Sequence, residues 1–114
     1  MAKAKEAPPA VAAEEKGKER QAAPVWMDRE ATLVEVCRWE EEAARGGASV
    51  VAFSETFVPG YPWWASVDRL DLARLEVVTR RQAIYLRNAV DLARGDLDPV
   101  VETARRTGCF VALG

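Results

Sequence analysis

Between Asp28 and Arg45 the apolar residues Leu33, Val36, Cys37 and Ala44 recur at helical spacing, which predicts an amphipathic helix with one buried stripe. Asp28 is placed to cap its amino end, and Gly46-Gly47 to stop it. Glu40 falls on the same stripe and weakens it. Val50-Val51-Ala52-Phe53 follows as a short unbroken apolar run, which predicts a strand buried on both faces. Thr56 to Pro62, with Pro59, Gly60 and Pro62, reads as a turn-rich loop. A second helical region is predicted from Leu70 to Ala93, broken near Asn88, with Leu72, Leu75, Val78, Ile84, Leu86 and Val90 as its apolar content. Asp98 as cap and Pro99 at the first helical position open a third helix, which Gly108 closes. Arg105 and Arg106 fall in its last turn, where they complement the helix dipole. Cys109 to Leu113 is a second buried strand. The order helix, strand, helix, helix, strand is an α/β pattern with parallel strands.

The first twenty residues do not share this patterning. Residues 1–20 are rich in Ala, Lys, Glu and Pro, with too little apolar surface to offset the entropy of ordering, and are expected to form a disordered tail. The folded part is therefore expected to be a single small domain over residues 21–114.

Composition narrows the chemistry. A formal charge of -2 gives no nucleic-acid footprint. No apolar run is long enough to span a membrane, and no signal-peptide core is present, so cytoplasmic localisation is expected. Histidine is absent, which excludes Ser-His-Asp and Cys-His catalysis. Every lysine (Lys3, Lys5, Lys16, Lys18) lies in the tail. Cys37 and Cys109 have neither disulfide-framework nor zinc-site spacing, so no metal and no cofactor are expected.

Glu55 is the residue that the pattern singles out for chemistry. It stands just beyond Val50 to Phe53, at the carboxyl end of a buried strand, where open α/β sheets place their ligands. There it should be partly desolvated, as suits a general base. Gly60 allows a tight turn that should bring Tyr61, Trp63 and Trp64 back over the strand end.

The same segment carries a resemblance. Gly47, Val50, Val51, Phe53, Glu55, Val58, Gly60, Tyr61 and Pro62 are nine fixed positions within sixteen residues, and together they resemble the catalytic-glutamate signature of the nitrilase-type carbon–nitrogen hydrolases. Similarity to the family extends over Gln21 to Gly114, including Asn88-Ala89-Val90 and Ala104-Arg105-Arg106-Thr107-Gly108. Tyr61-Pro62-Trp63-Trp64 is most similar to bacterial nitrilases proper. Ser54 stands where the family usually has proline, and the charged Lys16 to Arg20 stands where the family has an apolar strand.

The resemblance implies the N-terminal part of an αββα sandwich, truncated at Gly114. It implies a Glu, Lys and Cys triad in which the thiolate attacks a nitrile carbon, water releases ammonia and then the carboxylic acid, and glutamate is the general base. Residue by residue only Glu55 carries over, while the lysine and the nucleophilic cysteine belong to later parts of the family fold. Hydrolysis by this chain alone is therefore not expected. The implied ligand is a small nitrile or amide, with Tyr61, Trp63 and Trp64 as pocket candidates, the two tryptophans reading equally well as anchors of the loop or of a subunit interface, and a homo-oligomer is among the implied assemblies. The other reading is a non-catalytic α/β module that binds a full-length homologue.

Overall fold

A computed structural model describes residues 17–66 and 72–114. Most of the predicted tail (1–16) and the start of the predicted second helix (Leu70, Asp71) lie outside the described residues. Residues 17–20 are exposed and outside any helix or strand.

Helix α1 runs over Arg29–Arg45, with the Asp28 carboxylate accepting from the Ala31 N–H and Gly46 at its end. The side chain thus satisfies one of the four unpaired N–H groups of the first turn. The predicted stripe faces inward: Leu33 and Val36 are buried, and Cys37 packs against the cluster they form. Glu40 is buried with them. Thr32 completes the face, its hydroxyl donating to the Val25 and Asp28 carbonyls at 2.8 and 2.6 Å.

Strand β1 (Val50–Phe53) is followed by a loop and a short 3-10 turn, Trp63–Ser66. Helix α2 spans Leu72–Arg87, so it ends at the break expected near Asn88 and does not resume toward Ala93. Asn88 accepts the Arg29 N–H through Oδ1 at 3.2 Å and donates to the Ile84 carbonyl through Nδ2, diverting the chain toward the start of α1. Helix α3 covers Asp98–Thr107. Its cap is Leu97, not Asp98, and the leucine side chain makes no capping bond, so the predicted cap shifts by one residue. Gly108 ends α3 at φ +71°, a left-handed conformation that glycine adopts without steric cost. Strand β2 is Phe110–Leu113, one residue shorter than predicted, because Cys109 serves as the buried link from α3.

The two strands pair in parallel, Val50 with Phe110 through Phe53 with Leu113. Leu33, Val36, Phe57 and Val100 form the core, with Phe53, Val111 and Leu113 packed against it. The expectation of strands buried on both faces is not met. Exposure alternates along each, and Val50 and Phe110 are 61% and 76% exposed. The reason is layering: α1 and α3 cover one face of the sheet, and among the described residues nothing covers the other.

Candidate functional site

Glu55 lies two residues past the end of β1 and is exposed. The desolvation expected from its position is therefore not supplied by the described residues. Its backbone, by contrast, is closely held. The Phe57 N–H donates to the Ser54 carbonyl at 3.2 Å, and the Thr56 hydroxyl donates to the Glu55 carbonyl at 2.7 Å. A Cβ added at Gly114 would lie 2.9 Å from the Glu55 Cα. The carboxyl ends of both strands thus converge on Glu55, the location where a parallel sheet presents functional groups.

The loop after Glu55 does not carry both tryptophans back over the strand. Phe57 returns there instead, buried, with its ring 5.0 Å from that of Phe53. Trp64 is directed to α2 and to the segment before α1. It is 4% exposed, its indole N–H donates to Gln82 Oε1 at 3.1 Å, and it meets Trp26 and Tyr85 edge-on at 6.1 and 5.6 Å. Its surroundings are those of an anchor. Trp63 and Tyr61 are about half exposed, and the Arg81 guanidinium lies 5.1 Å from the centre of the Trp63 ring. Of the three aromatic candidates, these two keep a surface that a ligand can reach.

Trp26 is the contributor that sequence reasoning missed. Its ring occupies the space that a side chain at Gly60 would need, 2.9 Å from the added Cβ, while Gly60 itself adopts φ +116°. The neighbouring Met27 N–H donates to the Pro59 carbonyl at 3.0 Å. The segment before α1 and the signature loop are therefore one unit. Gly60→Ala is expected to lower stability by about 1–3 kcal/mol, through backbone strain plus displacement of Trp26. Urea unfolding checks this, and an unchanged midpoint would contradict the steric account.

A polar cluster holds the far side. The Asp96 carboxylate accepts from Arg94 Nε and Nη2 and from the Asp91 N–H, and lies 3.4 Å from Arg29 Nε. The Arg94 hydrogen bonds, the Asp91 N–H and the nearby Arg29 charge hold that carboxyl well below the usual carboxylate range. Arg29 also donates to the Arg87 and Ala89 carbonyls, tying the end of α2 to α1.

Neither cysteine is placed as a nucleophile. Cys37 packs on the core cluster. Cys109 is 4% exposed and donates its thiol to the Ala48 carbonyl at 3.4 Å. Burial pushes that thiol up from its ordinary value, and the Glu40 charge adds to the effect, which disfavours the reactive thiolate. No lysine occurs after Lys18. Among the described residues no group of His, Cys, Asp and Glu could hold a metal ion, and no helix is long and apolar enough to cross a membrane.

The family described as carbon-nitrogen hydrolase matches residues 19–114. An arylacetonitrilase of Hypocrea virens is 37% identical over 94 residues, covering 82% of this chain and 26% of the relative. A nitrilase of Pseudomonas syringae pv. syringae is 35% identical over 94 residues, again 82% and 26%. A nitrilase of Bacillus sp. strain OxB-1 is 51% identical over 51 residues, 45% of this chain and 15% of that one. The chain thus spans about a quarter or less of the length of these relatives.

Proposed function

The chain belongs to the carbon–nitrogen hydrolase family, and from that premise we propose that residues 21–114 form the glutamate-bearing portion of a nitrilase-type αββα domain. Glu55 is its general base, accepting the proton as the thiol attacks a nitrile carbon and again as water attacks the thioimidate and acyl carbons that follow. The observation that carries this reading is the convergence of both strand ends on Glu55, inside the segment that matches the signature. The bare sheet face at Val50 and Phe110 is where the second layer of the sandwich packs. Tyr61 and Trp63, about half exposed on the loop that follows Glu55, are the side chains we assign to the substrate pocket, where they suit an aryl or otherwise bulky nitrile. The nucleophilic cysteine and the lysine come from the rest of the family fold, because Cys109 is sealed and the only lysines precede residue 19. The two free thiols fit a reducing compartment, the cytoplasm.

Ammonia release from aryl and aliphatic nitriles tests the proposal. The 114-residue chain alone is expected to give none above background. Grafted in place of the matched stretch of the Pseudomonas syringae nitrilase, residues 21–114 are expected to support hydrolysis. Glu55→Gln should then reduce kcat by about 10²–10⁴-fold or more, the usual contribution of general-base catalysis. Hydrolysis by the isolated chain, or an active graft indifferent to Glu55→Gln, would overturn it. The exposed Val50 and Phe110 also favour a second reading, a non-catalytic module that docks on a homologue. That reading expects an inactive graft whichever residue stands at position 55.

A further inference from the structure

Glu40 is fully buried, and among the described residues neither carboxylate oxygen has a hydrogen-bond partner. It lies on the α1 face that packs against α3, the helix whose end leads through Gly108 and Cys109 into β2. Among the described residues, three charged or titratable groups face it: Arg106 from α3, Glu41 from α1, and Cys109 from the link to β2. Arg106 is already engaged, donating to Glu41 Oε1 at 2.5 Å. An ionised carboxylate cannot remain in such a place without a partner, whereas a protonated one can.

We propose that the seam between α1 and α3 is a pH-sensitive latch, closed when Glu40 is protonated and loosened when it ionises. Burial pushes the Glu40 carboxyl up from its ordinary value, the Glu41 charge adds to the effect, and the Arg106 charge opposes it. The closed state therefore holds the proton more tightly than the open one. Its stability falls as pH rises above about 4.5, where an unperturbed glutamate ionises, and goes on falling up to the closed-state value. Ionised Glu40 turns outward toward water, and its withdrawal from the seam loosens the packing of α3. Because α3 continues directly into β2, and β2 holds β1, the latch couples pH to the strand that positions Glu55.

The buried Cys109 thiol reports the state of the latch. In the full chain carrying Cys37→Ala, thiol labelling is followed from pH 4.5 to pH 8 with and without Glu40→Gln. The ratio of the two rates, native Glu40 over Glu40→Gln, cancels the intrinsic pH dependence of the thiol. It is expected to rise by about tenfold or more over this range. The direct field of an ionised Glu40 on the thiol acts the other way, so a rise reports opening. Should Cys37→Ala prevent folding, amide hydrogen exchange of Phe110 to Leu113 in the otherwise native chain, again compared with Glu40→Gln, gives the same ratio. A ratio that stays flat or falls over this range would overturn the proposal.

Discussion

Trp64→Ala is expected to remove about 3–5 kcal/mol of stability, as deletion of a buried tryptophan generally does. The side chain is nearly sealed from solvent and meets Trp26, Trp63 and Tyr85 edge-on, each within about 6 Å. It also satisfies Gln82, which would be left without that bond. The loss falls unevenly. Trp64 joins three pieces that are far apart in sequence: the segment before α1, the loop after Glu55, and α2. Against a total of about 5–15 kcal/mol for an ordinary domain, the change is enough to release α2. Urea unfolding followed by far-ultraviolet circular dichroism measures it, and a loss under about 1 kcal/mol would show that Trp64 is not the joint described here.

Glu40→Leu is expected to act in the opposite direction, raising stability by about 1–4 kcal/mol at pH 7. The replacement keeps roughly the volume of the side chain among Leu33, Val36 and their neighbours while removing a carboxylate that has no partner. The gain should shrink toward pH 4, where the native glutamate is neutral and the contrast between the two side chains is smaller. Urea midpoints at the two pH values check both sign and trend. A destabilised variant would mean that the buried carboxyl has a favourable partner after all.

The elements were legible wherever local signals agree. Asp28 and Gly46 bound α1 as their chemistry requires, Gly108 ends α3, and the two apolar runs are strands in parallel register. What could not be read were the contacts between distant segments. Nothing near Trp26 in sequence indicates that its ring will fill the space above Gly60, and nothing near Arg29 indicates that it will hold Arg87 and Ala89. Asp98 had the residue type of a cap, but the Asp98 N–H donates to the Gly95 carbonyl, and the helix begins one residue earlier than a cap at Asp98 allows. Glu55 was legible as a position and misread as an environment. An unbroken apolar strand suggests burial on both faces, yet burial depends on which layers pack there, and the described residues supply one.

The parallel pairing has a kinetic consequence. Every partner in the ladder is sixty positions away, Val50 with Phe110 and so on to Phe53 with Leu113. At roughly 5–20 residues per second, β1 is synthesised roughly 3 to 12 s before β2 is made to receive it. Through that interval an apolar strand has open edges and can pair with neighbouring nascent chains. Helix α1 can form early from local contacts, whereas the strand beside Glu55 must wait. Among the described residues, the strand that leads to the catalytic candidate is therefore set in place only after β2 is made, and is open to misassembly until then.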